Sequence, residues 1–292
     1  MGFEVHTTPY GEPAGELLAA QVRARKGGDP LAPVTVVVPA TYAGIAARRR
    51  LARDGIAAVT FVTVQRLAER MAAPVLAASG RRPAPPVLVA AAVRRVLQEQ
   101  RGVFAAVADH PATEDALVAA YHELRGVSDA ALDALARRSR RTRDIVAVHR
   151  AVRALLEPHW HDEHDLIAAA AATGPDGLGA VIVHLPRRVA PATASLLGAL
   201  AGHGTVTVNV GLTGDAPADA PVRDALARAG VVVPAAAWAP GRAHDVISTT
   251  DADEEVRAAV RVIVDAARAG TPFARMALVW GSDEPYARIV EA

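Results

Sequence analysis

The sequence predicts an α/β protein with one parallel sheet that a long all-helical segment interrupts. Strand and helix patterns alternate up to about residue 78, nearly every stretch of residues 79–178 has helical periodicity, and the alternation returns from residue 179. Alternating strands and helices are typical of parallel sheets with helices on both faces. A chain of 292 residues, 51% of them hydrophobic, can bury the core that such a fold requires.

The first flank, residues 1–78, contains three strand–helix pairs. FEVHTT alternates, and the helical pattern ELLAAQVRARK follows it after the break YGEPAG. PVTVVVP (33–39) is rich in β-branched residues and bounded by prolines, which indicates a buried strand, and TYAGIAARRRLARDG is the helix after it. AAVTFVTV (57–64) is the third strand and VQRLAERMAA the third helix.

The proline-rich break SGRRPAPP begins the helical segment, residues 79–178, which we interpret as an inserted helical subdomain. Apolar residues recur at helical spacing in five stretches: PVLVAAAVRRVLQEQ, TEDALVAAYHELRG, SDAALDALARRS, TRDIVAVHRAVRALLE and DEHDLIAAAAA. Ser128 with Asp129, and Thr113 with Glu114, have the residue types of helix caps and first turns.

The second flank returns to alternation. AVIVHLP (180–186) and TVTVNVG (205–211) are predicted strands, so residues 179–243 complete the α/β domain. HDVISTT (244–250) and ARMALVWG (274–281) are predicted strands on either side of the helix DADEEVRAAVRVIVDAARAG. The chain ends within the helical pattern DEPYARIVEA. We therefore expect residues 244–292 to be the truncated start of a second domain, and the sequence to be the N-terminal part of a longer protein.

Composition excludes several classes of function. The chain has no cysteine, which excludes disulfides, zinc–thiolate sites, iron–sulfur clusters and thiol catalysis. It has neither a signal-peptide pattern nor an uninterrupted apolar run of about 18 residues, so we expect a cytoplasmic protein with no membrane partner. The net charge of +1 gives no global attraction to nucleic acid. Lys26 is the only lysine among 32 basic residues.

Several local patterns resemble AddB-type subunits of bacterial helicase–nucleases, which are RecB-family exonuclease proteins of the PD-(D/E)XK nuclease type. The stretches PVTVVVPATYAGIAARRRLA, VTFVTVQRLAERMA, YHELRGVSDAALDAL and DEHDLIAAA occur in the order of that family. The passage DADEEVRAAVRVIVDAARAGTPFARMALVWGSDEPYARIVE resembles the opening of the family's second RecA-like domain. The resemblance runs over essentially the whole chain. It implies a RecA-like, P-loop helicase-like domain with an inserted helical subdomain.

The resemblance also implies partners. AddB-type subunits often carry a degenerate helicase core that serves as a DNA-reading scaffold, so we expect DNA and an AddA-like or UvrD-like helicase motor as partners. In the family, a C-terminal nuclease domain with a carboxylate-and-lysine metal site follows the second RecA-like domain. The residues of that domain are not in this sequence, and any nuclease activity is expected outside these 292 residues.

The turn after the first strand is the expected place of a phosphate loop. A Walker A motif needs glycines whose amides hold phosphates, a lysine for the β/γ charge and a hydroxyl for magnesium. TPYGEPAGEL has Gly11 and Gly15 but no lysine and no hydroxyl next to one. The strand 180–186 carries His184 near its end, where ATPases place a magnesium-binding acid. We predict a degenerate phosphate loop, no cofactor and no ATP hydrolysis.

The segment HWHDEHD contains His159, His161 and His164 among three acids. His161 and His164 lie three residues apart on one helical face, which would suit a metal. We favour the alternative that Asp162 and Glu163 begin a helix whose first turn is solvated, so no metal site is predicted. The sequence has no GxSxG and no GxGxxG, which argues against Ser–His–Asp catalysis and against a dinucleotide-binding dehydrogenase. No catalytic residue is assigned.

Two arginine clusters are candidates for contact with nucleic acid. The run RRSRRTR has five arginines that can bind DNA phosphates: Arg137, Arg138, Arg140, Arg141 and Arg143. The alternative is a solvated loop between helices. The second cluster lies on the helix after the second predicted strand and consists of Arg48, Arg49, Arg50 and Arg53. For this cluster we favour a solvated outer helix face over contact with DNA.

Two functions from different classes follow from these patterns. The first is a non-catalytic, helicase-like region of a subunit that processes DNA double-strand breaks, binding DNA and a motor subunit. The alternative is a stand-alone α/β nucleotide-binding protein or enzyme of unknown substrate.

Overall fold

A computed structural model of the chain describes residues 2–99, 102–241 and 245–291. It divides into two compact units, Met1–Pro240 and Gly241–Ala292. The strands are β1 (Gly2–Thr8), β2 (Val34–Val37), β3 (Val59–Val62), β4 (Arg82–Pro83), β5 (Trp160–His161), β6 (Ala180–His184) and β7 (Thr205–Gly211).

The helices of the first unit are α1 (Glu12–Lys26), α2 (Thr41–Arg53), α3 (Val64–Ala78), α4 (Pro86–Glu99), α5 (Pro111–Leu124), α6 (Asp129–Ala136), α7 (Arg140–Leu156), α8 (Glu163–Ala171), α9 (Pro191–His203) and α10 (Ala216–Ala227). The second unit contains α11 (Ala252–Arg268) and α12 (Asp283–Glu291). No helix among the described residues is both long enough and apolar enough to span a bilayer.

Five strands form one parallel sheet in the order β1-β7-β6-β2-β3. The prediction of an α/β protein whose strands 33–39 and 180–186 share a parallel sheet is therefore confirmed. β2 is buried along its whole length, as its run of β-branched residues between prolines indicated.

Helices cover both faces of this sheet. On one face, Leu18 and Val22 of α1 and Leu51 of α2 pack with Val36 and Ile182. On the other face, α3, α8, α9 and α10 contribute apolar side chains to the largest core cluster. Alternate residues of β2 and β6 therefore face two different cores, which is the arrangement that a sheet buried on both sides requires.

Helices α4, α5 and α7 share a core of their own, which includes Val93, Leu117 and Val152. These helices lie in the chain between β4 and β5, which pair with each other in parallel. The predicted helical segment 79–178 also includes α8. In the structure α8 packs against α3 and α9, and its Leu166 and Ile167 belong to the core beneath the sheet.

The second unit, in its described residues 245–291, contains α11 and α12 but no β-strand. The predicted strands 244–250 and 274–281 are therefore wrong where the structure describes them, and residue 244 lies outside the described residues. Both stretches have strand composition, but a strand exists only when a neighbouring strand satisfies its peptide groups. Tyr286 Oη donates to Glu255 Oε2 at 2.7 Å and joins α12 to α11.

A tight junction joins the two flanks of the sheet. Thr35 Oγ1 of β2 donates to the carbonyl of Leu178 at 2.6 Å, and Ala180 N donates to the carbonyl of Pro33 at 3.2 Å. Gly179 between them has φ +64°, and a Cβ there would lie 2.0 Å from the Pro33 oxygen. Only glycine therefore fits between β2 and the start of β6.

We expect Gly179→Ala to destabilise the fold far more than Gly177→Ala. Both residues have positive φ, but a Cβ at Gly177 would meet no atom within 4 Å. Backbone strain alone predicts a loss of about 1–2 kcal/mol for Gly177→Ala, whereas strain plus the clash predicts about 3 kcal/mol or more for Gly179→Ala. Urea unfolding of both variants measures this difference. Equal losses would contradict the role of the junction.

Candidate functional site

The carboxyl edge of the sheet is the place to look for a site, because ligands of open parallel sheets bind beyond the carboxyl ends of the strands. Strand register places the ends of the chain's two flanks side by side there. Thr8 is paired with Gly211, and His184 with Asn209. The loops that follow β1, β6, β7, β2 and β3 therefore meet at one edge, which has a closed half and an open half.

Tyr10 closes the β1–α1 turn. Its ring lies directly on Gly211 at the end of β7, since a Cβ at Gly211 would be 2.4 Å from Tyr10 Cε1. The same Cβ would be 2.9 Å from Leu185 Cδ2, so the contact is close on both sides. An aromatic ring therefore covers the strand ends beside the turn in which a phosphate loop would hold its phosphates.

Acidic residues occupy the start of α1. Glu12 lies in its first turn and Glu16 follows one turn later, and Arg50 of α2 approaches their carboxylates at 3.6 and 3.9 Å. Carboxylates near a helix N-terminus complement its partial positive charge, and they repel a phosphate from the same position. Arg50 is thus half-buried at this contact, rather than part of a solvated outer face.

Lys26 lies at the far end of α1 and cannot serve a nucleotide at the carboxyl edge. It is only 8% exposed, and its Nζ donates to three carbonyls: Pro30 at 2.9 Å, Ala32 at 2.6 Å and Ala58 at 3.3 Å. These carbonyls precede β2 and β3, at the amino edge of the sheet. The only lysine of the chain therefore holds loops together.

His184 and Asn209 form a buried polar pair at the end of β6 and β7. Asn209 Nδ2 lies 3.5 Å from His184 Nδ1, and burial lowers the pKa of His184 to about 4. The imidazole is therefore neutral near pH 7. This strand end supplies no carboxylate of the kind that holds magnesium in ATPases.

The open half of the edge is a cleft of about 870 Å³ between the ends of β2 and β6. Arg187 and Arg188 follow the end of β6 after two residues, line the cleft and are exposed. Within the described residues neither has an ion-pair partner, so their charges are available to a ligand. The remaining wall includes residues of α3, α8 and α9, among them Gln65, Glu163, Thr193 and Leu197.

Two helices begin at this cleft without a side-chain cap. Ala40 precedes α2 and Ala190 precedes α9, and neither alanine can accept a hydrogen bond from the first amides of its helix. By contrast, Thr63 caps α3 and Asp162 caps α8. Uncapped first-turn amides and the helix dipole attract anions. With Arg187 and Arg188, they make the cleft suited to phosphate groups.

The predicted DNA-binding arginines lie elsewhere, where α6 ends and α7 begins. All five are exposed: Arg137, Arg138, Arg140, Arg141 and Arg143. Ser139 and Thr142 form a capping box at the start of α7, which fixes the backbone of the run. Within the described part of the chain these arginines have no salt-bridge partner. They are not among the residues that line the cleft.

The acids of HWHDEHD bind an arginine. Arg125 Nε donates to Asp162 Oδ2 at 2.5 Å, and Arg125 Nη2 donates to Asp165 Oδ1 at 2.6 Å. His161 lies on β5 and His164 on α8, and no group of three metal-ligating side chains occurs among the described residues. Asp162 begins α8, as predicted, but the expected solvation of its first turn is wrong for the two aspartates, because the Asp162 and Asp165 side chains are mostly buried against Arg125. The segment thus ties α5 to α8.

The sequence does indicate that Arg187 and Arg188 belong to a site, but through their position in the chain and not through the number of arginines. Arg187 and Arg188 are only two arginines, but they follow a buried strand and precede Pro191 at the start of a helix. The run 137–143 has more arginines, but it lies between two helices and does not follow a strand of the sheet. The position after a strand therefore distinguishes Arg187 and Arg188 from the longer run.

No family model matches the chain, and no curated protein matches it in sequence. A functional proposal therefore depends on the geometry of the carboxyl edge together with the resemblance of the sequence patterns.

We expect His184 to make the fold sensitive to mild acid. Its pKa of about 4 in the folded state is below the value of about 6.5 in an unfolded chain, so the unfolded state takes up the proton first as pH falls. The stabilisation present above pH 6.5 is lost between there and pH 4. One such histidine predicts a loss of about 2 kcal/mol between pH 7.5 and pH 5.

Urea unfolding at the two pH values tests this expectation. His184→Gln should show a pH dependence smaller than that of the parent chain by about the same 2 kcal/mol. His203→Gln, at an exposed position at the end of α9, is the control for the substitution itself. An unchanged pH dependence in His184→Gln would show that this histidine is not buried in its neutral form.

Proposed function

We propose that this chain is a non-catalytic, helicase-like region of an AddB-type helicase–nuclease subunit, and that it binds DNA beside a separate motor subunit. The observation that carries the proposal is the division of the carboxyl edge. In its nucleotide half Tyr10 packs on Gly211, and Glu12 and Glu16 place negative charge at the start of α1, while its other half is an open cleft with Arg187 and Arg188.

The finer fold assignment belongs to this proposal. A parallel sheet whose strands come from both sides of a helical segment supports a RecA-like domain. The separate core of α4, α5 and α7, and the pairing of β4 with β5 at its two ends, support an inserted helical subdomain. In that assignment α8 belongs to the layer beneath the sheet.

Loss of ATP hydrolysis is supported by three independent features of the structure. The turn Thr8–Glu16 has no lysine, the first turn of α1 carries the Glu12 carboxylate, and β6 ends in a neutral histidine instead of an acid. Groups that meet the phosphates and magnesium supply most of the catalysis in phosphoryl transfer. A chain without them needs a partner to supply motion, which is why we include a motor subunit.

DNA is supported as the ligand by the kind of charge in the cleft. Two exposed guanidinium groups and two uncapped helix N-termini are groups that bind phosphates without regard to sequence. A phosphodiester backbone offers several phosphates in a row, which matches several separate anion-binding groups along one edge. The arginine run 137–143 is a second candidate contact, where α6 ends and α7 begins.

The alternative is a stand-alone α/β protein that binds a phosphorylated small molecule. The same two arginines and helix N-termini favour it, because they suit a single phosphate as well. Both proposals place the ligand in the cleft, and they differ in whether that ligand is a DNA strand or a small molecule. A cytoplasmic location is part of either proposal.

Titration with a fluorescein-labelled oligothymidylate at several salt concentrations tests DNA binding. Arg187→Ala with Arg188→Ala should weaken binding and reduce the log–log salt slope by about 1.4, or about 0.7 for each lost phosphate contact on a single strand. Replacing Arg137, Arg138, Arg140 and Arg141 tests the second contact in the same way. Arg49→Ala with Arg53→Ala, at exposed positions of α2, is the control with equal loss of charge.

Three results would reject the proposal. The first is an unchanged slope in the cleft variant together with an unchanged slope in the variant of the arginine run. The second is that a nucleotide binds with micromolar affinity and that Arg187→Ala with Arg188→Ala abolishes this binding but leaves DNA binding unchanged. This result would favour the small-molecule alternative. The third is DNA-stimulated ATP hydrolysis by the isolated chain.

A further inference from the structure

Strand β3 leaves one edge of the sheet open. It is the last strand in the order and pairs only with β2 among the described residues. Val38 N donates to the carbonyl of Val62 at 2.8 Å, so the peptide groups of Val62 face β2. Because peptide groups alternate in direction along a strand, those of Val59 and Phe61 face away from the sheet. Within the described chain no hydrogen bond reaches them.

A groove of about 580 Å³ runs along this open edge. Thr60, Phe61 and Val62 form its floor, α2 contributes Gly44 and Ile45 on one side, and α3 forms the other side. The two helices cover opposite faces of the sheet. An added strand would therefore continue the plane of the sheet and lie between two helices.

The groove carries an excess of positive charge. Arg48, Arg66 and Arg70 line it and are exposed, and its one acid, Glu69, accepts from Arg66 Nη1 at 2.5 Å. Arg48 lies over the Phe61 ring at 5.8 Å from its centroid. Neither Arg48 nor Arg70 has an ion-pair partner in the part of the chain that the structure describes. Two guanidinium charges therefore remain to be neutralised by an acidic ligand.

We propose that the open edge of β3 is a docking site for an acidic, extended segment of a partner polypeptide, which adds to the sheet as a further strand. A polypeptide is favoured over nucleic acid because only a peptide main chain offers the alternating donors and acceptors that Val59 and Phe61 present. The Arg48 guanidinium also lies over the Phe61 ring, where a base would otherwise stack. The proposal goes beyond the proposed DNA binding and does not depend on it.

The probe for this site is a fluorescein-labelled ten-residue peptide in which threonine and glutamate alternate. Anisotropy with the full chain should show saturable binding, and Arg48→Glu with Arg70→Glu should weaken binding by about tenfold or more. Arg49→Glu with Arg53→Glu reverses the same number of charges on exposed positions outside the groove, and should leave binding unchanged. Urea unfolding of both variants verifies that they are folded.

A second peptide separates strand addition from simple charge attraction on the unmodified chain. Methylation of alternate amide nitrogens keeps every charge but removes donors that would face β3, so its binding should be at least about tenfold weaker. Absence of binding by the unmethylated peptide, equal binding of the two peptides, or equal losses in the two charge-reversal variants would each overturn the proposal. The proposal would also be overturned if an oligothymidylate displaced the peptide and its own binding were lost in Arg48→Glu with Arg70→Glu. That result would assign the groove to nucleic acid.

Discussion

The parallel pairing of β2 with β6 is the constraint on which the functional architecture depends. These strands come from opposite sides of the helical segment, so their pairing closes the sheet and returns the chain to it. Gly179 and the hydrogen bond from Thr35 to Leu178 fix how closely the two strands approach. Because the strands are parallel, their carboxyl ends are then adjacent. The loops that follow them form the cleft as a direct consequence of this register.

Several helices begin along this edge, and the side chains around their N-termini differ in whether they leave room for an anion. At α1 the N-cap is Gly11 and no side chain caps the first turn, but Glu12 in that turn and Glu16 one turn later place negative charge where a phosphate would bind. At α3 and α8 a side chain caps the first turn. At α2 and α9 no side chain does so, and two arginines stand beside the second of them. The side chains around each helix start therefore decide which half of the edge can bind an anion.

The sequence predicted the parallel sheet well because buried strands rich in β-branched residues, such as PVTVVVP, have a local signature. The absence of an acid at the end of β6 was equally visible. The predictions of strands at 244–250 and 274–281 were wrong in the residues that the structure describes, because strand formation depends on a neighbouring strand, which local composition does not reveal. Contacts between distant segments were hidden for the same reason. No local sequence pattern indicates that Tyr10 packs on Gly211. The same holds for the three carbonyls that accept hydrogen bonds from Lys26.

Hydrogen–deuterium exchange of the full chain, measured with an oligothymidylate and separately with magnesium and ATP, tests the divided edge most directly. We expect DNA to slow exchange in residues 38–43 and 185–195, where the cleft and its uncapped helices lie. We also expect ATP to leave exchange in residues 8–16 unchanged, because Tyr10 and the carboxylates of α1 lie in that half. Slower exchange of residues 8–16 with ATP, and no effect of DNA at the cleft, would contradict this division of the edge.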